Sequence, residues 1–269
     1  MVAVKHLLGT DTGAAQREAN ILRGMSKRPH AHRHVISLLA TYEYCGEYYL
    51  MFPWAQADLE RFWKESRGPY GGNNEMAMWL LEQCLGLAKG LYQIHRYLTI
   101  PRASKVWQDS LIEEASRATV ANEVPQLLFG RHGDIKPNNI LFFPDGGSSP
   151  YGVLKLTDFG ITRFGTDPTQ PPFHENERVP YTPTYQSPEC LSKKDISTLC
   201  DIWALGCVYL EFALWYFRGY DHVKAFSQKR QEDDVSDAFF EKVGKNPSTG
   251  SMRLQVKPCV SEVSLLEVE

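Results

Sequence analysis

The stretch that most constrains this chain runs from residue 132 to 160 and reads HGDIKPNNILFFPDGGSSPYGVLKLTDFG. Two apolar tetrads, Ile140–Phe143 and Val153–Leu156, flank a turn that opens on Pro144-Asp145-Gly146-Gly147. Asp-Gly between apolar runs signals a hairpin, because these residues tolerate the left-handed dihedrals of a tight turn. A hairpin brings its ends together, so residues before the first strand meet those after the second. Both ends are polar, with Asp134, Lys136 and Asn139 on one side and Asp158 on the other. Carboxylate and amide oxygens converging in one cleft suit Mg²⁺ and a phosphate, since a hard cation takes oxygen ligands. Taken singly, each Asp or Asn caps a turn as readily as it binds a ligand. Their order along one hairpin is what argues for a site.

This stretch resembles the catalytic and metal-binding loops of protein kinases, where H-R-D-x-K-x-x-N is followed by D-F-G. Here the pattern stands as His132-Gly133-Asp134, Lys136, Asn139 and Asp158-Phe159-Gly160. The resemblance implies that Asp134 accepts the proton of a substrate hydroxyl. It implies that Lys136 neutralises charge on the transferring phosphoryl group, and that Asn139 and Asp158 hold Mg²⁺. Gly133 replaces the usual Arg, which in the family pairs with a phosphorylated activation loop, so the resemblance implies a loop independent of that switch.

The chain has 269 residues, 43% of them hydrophobic, enough for one substantial core or two modest lobes. A net charge of −3 gives no bulk attraction for nucleic acid or an acidic membrane. The six cysteines are scattered without a C-x-x-C pair, which reads as reduced thiols in a cytosolic or nuclear protein. The first ten residues lack an apolar signal core. The longest apolar run, Ile202–Phe217, is interrupted by Glu211; it reads as a buried helix, too short and too polar to span a bilayer.

In chain order, Met1–Lys5 reads as a short strand resembling the kinase V-A-I-K strand, whose Lys holds nucleotide phosphates; Lys5 takes that place. A helix is expected over roughly 13–25, with Ile21, Leu22 and Met25 on one face. Glu18 is the expected partner of Lys5, with Gln16 close enough to leave the register open by a turn. Strands are expected over Val35–Tyr42 and Glu47–Phe52, turning at Cys45-Gly46. By resemblance Phe52 backs the nucleotide pocket and the backbone of Ala55 bonds the adenine. Asp58 either bonds the ribose or caps the helix Leu59–Glu65. Asn74 is expected to cap a long helix over 75–96, with Leu80, Leu81, Cys84, Leu87, Ala88, Leu91 and Ile94 as its core face and a structural His95 at its end. Residues 97–131 read as an insertion with a short surface helix, ending in a strand at Leu127–Phe129.

The activation segment, 158–189, ends in TPTYQSPE, similar to the family's T-P-x-Y-x-A-P-E. By resemblance Thr182 bonds to Asp134 and Lys136, and Asp201 of D-I-W-A-L-G ties down the catalytic loop. Helices are expected at Tyr220–Lys229 and Val235–Val243, and a partly disordered polar tail at 244–269.

The resemblance spans roughly residues 1–217 and implies an α+β, two-lobed kinase-like fold. Residues 1–55 form a partial small lobe and hinge, and 56–269 form the larger, mainly helical lobe. The family's Gly-rich loop would precede Lys5, where four residues stand, so both ends read as truncated or atypical and Mg·ATP binding is expected to be weak. The implied function is transfer of the ATP γ-phosphoryl group to Ser or Thr of a protein substrate. The alternatives are a pseudokinase scaffold without turnover, and an aminoglycoside- or choline-type phosphotransferase, which also carries H-G-D. Lys136, Phe159-Gly160 and the TPTYQSPE block argue against the last.

Overall fold

The computed structural model describes residues 1–7, 12–27, 30–66, 73–99, 126–144, 151–165, 182–191, 197–232, 236–245, 250 and 252–263. The chain opens with a three-stranded antiparallel sheet. Strand β1 (Val2–Leu7) pairs with β3 (Glu47–Pro53), and β3 with β2 (Ala40–Tyr44). Cys45 and Gly46 both take positive φ, 54° and 76°, which is the two-residue turn that matches strand twist. Helix α1 (Thr12–Met25) follows β1 and buries Ala19, Ile21, Leu22 and Met25.

The strand expected over 35–42 begins only at Ala40. Val35 and Ile36 lie instead in a bridge to the second half of the chain: Ile36 N–H donates to Leu156 O and Leu156 N–H to His34 O, each at 2.9 Å. Backbone groups committed there cannot also enter the first sheet.

The remainder is mostly helical, with three small sheets among the described residues. Short β4 (Ala57–Asp58) leads into α2 (Leu59–Glu65) and then α3 (Asn74–His95). The cap of α3 is Asn73, not Asn74: Asn73 Oδ1 accepts from Met76 N at 3.0 Å, the side-chain satisfaction a helix start needs. Leu81, placed in the core by spacing, is 60% exposed. The buried stripe is Met76, Trp79, Gln83, Leu87, Leu91 and Ile94, with Gly86 and Gly90 between. Gln83 belongs there because its Oε1 accepts the Leu154 N–H at 2.9 Å.

Strands β5 (Tyr97–Thr99), β6 (Gln126–Arg131) and β9 (Arg163–Gly165) form one sheet; β4, β7 (Ile140–Phe143) and β8 (Val153–Leu156) form another. The 97–131 insertion therefore leaves on β5 and returns on β6, paired from Tyr97↔Leu128 to Thr99↔Gln126. Its expected surface helix lies outside the described residues. The β7–β8 hairpin stands at the predicted residues, paired from Ile140↔Leu156 to Phe143↔Val153.

Helix α4 (Leu199–Arg218) runs through the centre of this half. Its 20 residues are long and apolar enough to cross a bilayer by length and composition alone. Here Phe212, Trp215 and Val208 are fully covered by protein, and Trp215 Nε1 donates to Trp63 O at 3.0 Å. Helix α5 (Tyr220–Glu232) follows. The helix expected at 235–243 is absent: β10 (Phe240–Lys245) pairs antiparallel with β11 (Met252–Val256), and α6 (Pro258–Ser261) packs after it. A hairpin also stands where a polar tail was expected. Alternation in Met-Arg-Leu-Gln-Val fits period-two pairing better than a helical stripe.

Candidate active site

The loop after β6 is held by one buried carboxylate. Asp201, in the first turn of α4 and 2% exposed, accepts from His132 N and Gly133 N, both at 2.8 Å, and meets His95 Nε2 at 2.9 Å. Burial alone would raise its pKa. The His95 contact, the His132 ring and the Gly133 amide outweigh that and hold it below the usual carboxylate range. Gly133 sits at φ +90°, a conformation that penalises any side chain, and an added Cβ would stand 3.0 Å from Ile161 Cδ1. Those dihedrals are the local reason for glycine in the loop. The guanidinium of Arg131, 1% exposed, packs beside it.

His132 is fully buried, which lowers its pKa. Its Nδ1 faces Asp134 N–H at 3.4 Å and its Nε2 faces Thr157 O at 3.0 Å, an arrangement that fits the neutral Nε2–H tautomer. One ring thus spans the two arms of the site.

On the first arm, four side chains close on one another. Thr182 Oγ1 donates to Asp134 Oδ1 at 2.9 Å and accepts from Lys136 Nζ at 2.9 Å. Lys136 Nζ also lies 2.7 Å from Asp134 Oδ2. Asn139 Nδ2 donates to both the backbone oxygen and Oδ2 of Asp134, each at 2.8 Å. The amide oxygen of Asn139 is the part of that side chain left for another partner.

On the second arm, Lys5 Nζ lies 2.7 Å from Glu18 Oε1 and 3.0 Å from Asp158 Oδ1. Glu18, not Gln16, makes this contact, and it is 6% exposed. Burial would lower the Lys5 pKa, but the Glu18 and Asp158 carboxylates reverse this and raise it. Burial likewise pushes Asp158 up, and Lys5 overcomes it, leaving the carboxyl below its ordinary value. Asp158 adopts φ +67°, a strained conformation for a side-chain-bearing residue. The hairpin joins the arms: Thr157 N donates to Asn139 O at 3.0 Å, so Asp158 follows directly on Asn139's neighbour.

A family model of the protein kinase domain matches residues 130–249. Over those residues the chain is similar to protein kinases. It is 33% identical over 151 residues to "Probable cyclin-dependent kinase 8" of Dictyostelium discoideum, covering 52% of this chain and 39% of that protein. It is 40% identical over 85 residues to "Serine/threonine-protein kinase crk1" of Schizosaccharomyces pombe, covering 31% and 22%. With "Cyclin-dependent kinase 8" of Caenorhabditis briggsae it shares 38% over 81 residues, covering 30% and 13%. The matched stretches thus span well under half of each of these relatives. The matched region lies in the mainly helical part of the fold, after the opening three-stranded sheet.

A protein kinase domain takes ATP as phosphoryl donor, usually with Mg²⁺. Among the described residues no three His, Cys, Asp or Glu side chains cluster as a metal cage. A cation held by one carboxylate, one amide oxygen and phosphate oxygens needs no cage, and a carboxylate and an amide oxygen are what Asp158 and Asn139 could offer it. Phe52 lies opposite Ala3, on the same sheet face as Lys5 opposite Leu50. Ala55 lies between β3 and β4, half-buried. Asp58 caps α2, its Oδ1 accepting from Arg61 N at 2.8 Å, so one of its oxygens is already engaged. Sequence reading passed over the ion pair of Glu211 and Arg230, at 2.9 Å and 4% and 1% exposed. A lone Glu inside the apolar run 202–217 was the available signal.

Proposed function

We propose that this chain transfers the γ-phosphoryl group of ATP to a Ser or Thr hydroxyl of a protein substrate. The observation that carries the reading is the closed set Asp134–Thr182–Lys136–Asn139 beside the Lys5–Glu18–Asp158 arm. A hydroxyl presented at Asp134 replaces the Thr182 hydroxyl as donor to the same carboxylate, which then takes its proton. Lys136, within reach of that hydroxyl, offsets negative charge on the transferring group. Mg²⁺, when bound, neutralises charge on the phosphate oxygens. Asp158 and Asn139 would hold it through a carboxylate and an amide oxygen. Lys5, fixed by Glu18, points an ammonium at the phosphates. Phe52 and Ala55 border the base, and Asp58 offers its second oxygen to the ribose.

The test uses a degenerate pool of Ser- and Thr-containing peptides with labelled ATP. Asp134→Asn keeps the shape and removes the proton acceptor, so turnover falls roughly 10²- to 10⁴-fold while Mg·ATP affinity, read by calorimetry, changes little. Asp158→Asn weakens both. A wild-type chain that binds Mg·ATP but never labels any peptide would make it a nucleotide-binding scaffold. Labelling of aminoglycosides or choline alone would make it a small-molecule phosphotransferase.

A further inference from the structure

The stretch that enters β10 lies along the segment carrying Thr182, and successive residues face opposite sides of it. Ser236, Ala238 and Phe240 line a groove of about 330 Å³ with Pro183, Gln186 and Leu191. Asp237 lines a second groove of about 270 Å³ with Thr182, Thr184 and Tyr185. Between the grooves two contacts join the stretch and its neighbours to the segment. Thr184 Oγ1 donates to Asp237 Oδ1 at 2.5 Å, and Tyr185 O–H donates to Glu211 Oε2 at 2.8 Å.

Each acceptor is itself fixed from behind. Asp237 Oδ2 faces Ser227 Oγ at 3.4 Å, and Asp237 O accepts from Arg230 Nε at 2.8 Å. The Arg230 guanidinium stands 4.4 Å from the Phe226 ring centroid and 4.1 Å from that of Phe239, and its Nη2 donates to Glu211 Oε1 at 2.9 Å. Lys257, 2% exposed, donates to Ser236 O at 2.6 Å and to Arg230 O. The line of contacts therefore runs from Lys257 through Ser236 and Asp237 to Thr184, two residues from the Thr182 hydroxyl that meets Asp134.

We propose that Asp237 is a positioning residue for the acceptor site, acting through Thr184 to hold the turn 182–186 against Asp134. The proposal rests on the phosphoryl-transfer reading for its consequence but not for its geometry. Displacing Thr184 shifts Thr182 and the two groove walls that a substrate chain would lie against. It does not touch Lys5, Glu18 or Asp158.

The variants are Asp237→Ala, Thr184→Val and the two combined, with Asp237→Asn and Thr184→Ser as conservative partners that keep an acceptor and a donor. The first readout is amide hydrogen exchange at Tyr185 and Gln186, whose N–H groups close the turn onto Thr182 O at 3.2 Å and Pro183 O at 3.3 Å. The second is kcat/KM for the degenerate peptide pool, with KM for ATP measured alongside. Asp237→Ala and Thr184→Val should each speed exchange at both amides and lower peptide kcat/KM about 10- to 100-fold, with ATP KM unchanged. The double variant should lose no more than either single one, because both remove one bond. The conservative variants should recover most of the loss. Unchanged exchange in variants that melt like the parent overturns the proposal, as do losses that multiply in the double variant or an ATP KM that moves with the peptide term. If the parent labels no peptide, the transfer reading falls and the exchange readout alone decides whether Asp237 holds the turn.

Discussion

At the scale of single residues, charge placement in this chain is set by backbone commitments as much as by side-chain partners. His34 shows this. Its Nδ1 meets Leu154 O at 2.9 Å, and its ring lies under Gly86 of α3. Burial is the main cause that lowers its pKa, to about 4, with nearby His32, Arg33 and Lys155 adding to the effect. A histidine held neutral in the fold but protonated near pH 6.5 when unfolded stabilises the fold above pH 6.5. That contribution is lost as pH falls from about 6.5 towards 4, because the unfolded chain then binds the extra proton. The shift corresponds to at most about 3 kcal/mol. Urea midpoints should fall over that window, and His34→Gln should flatten the dependence while costing stability at pH 7.5. The residues singled out from sequence do assemble into two contacting sets, Asp134 with Lys136, Asn139 and Thr182, and Lys5 with Glu18 and Asp158. They were legible because short spaced motifs hold their residue types together. Asp237, Arg230 and Lys257 were not, since each acts through a fold contact that no local pattern encodes.

Elements were legible where one period dominates. Helices α1 and α2 and the β7–β8 hairpin fall within a residue or so of their expected bounds, because capping residues and apolar spacing agree. Boundaries drifted where tertiary partners compete. Residues 34–36 pair with Leu156 rather than extending β2, and β10 takes a stretch whose mixed composition had suggested a helix. Close approach of helix to loop also escaped the pattern. Gly86 sits on α3 where an added Cβ would stand 2.2 Å from His34 Nε2, and Gly90 faces Val35 Cγ2 at 3.1 Å. Replacing Gly86 by Ala gains roughly 1 kcal/mol of helix propensity. It also drives a methyl into a ring fixed by its bond to Leu154 O, and such overpacking costs about 1–3 kcal/mol. Gly86→Ala should therefore be net destabilising, by up to about 2 kcal/mol in chemical denaturation. Gly90→Ala has 3.1 Å of clearance and should be nearer neutral. Asn73→Ala removes the α3 cap and should cost about 1 kcal/mol.

At the scale of the whole molecule, α4 joins several separate parts of the described chain. Its Asp201 holds the loop after β6, its Tyr209 reaches Cys84 O on α3, its Trp215 reaches α2, and its Glu211 joins Tyr185 to Arg230 of α5. An apolar helix with two buried carboxylates looks ambiguous in sequence; in the fold each carboxylate ties down a different segment. Glu211 also exposes the energetic cost of the arrangement. Burial raises its pKa above the ordinary carboxylate value, and Arg230 and Tyr185 offset this only in part, while Asp237 adds to it. Arg230→Met removes the cation and leaves a buried charge uncompensated, which should cost about 3–5 kcal/mol at neutral pH. A carboxyl whose folded pKa is raised takes up a proton on folding between its unfolded and folded values. Stability attributable to it therefore improves as pH falls through that window. Losing Arg230 raises the folded value further and widens the window. The deficit of Arg230→Met relative to the parent, measured by urea denaturation at matched pH, should be largest at pH 7–8 and shrink towards pH 5 as Glu211 is neutralised. In a Glu211→Gln background no charge remains to be stranded, so Arg230→Met should cost less and its cost should no longer vary with pH. A deficit that stayed constant with pH in both backgrounds would mean that Arg230 works through its packing between Phe226 and Phe239 alone.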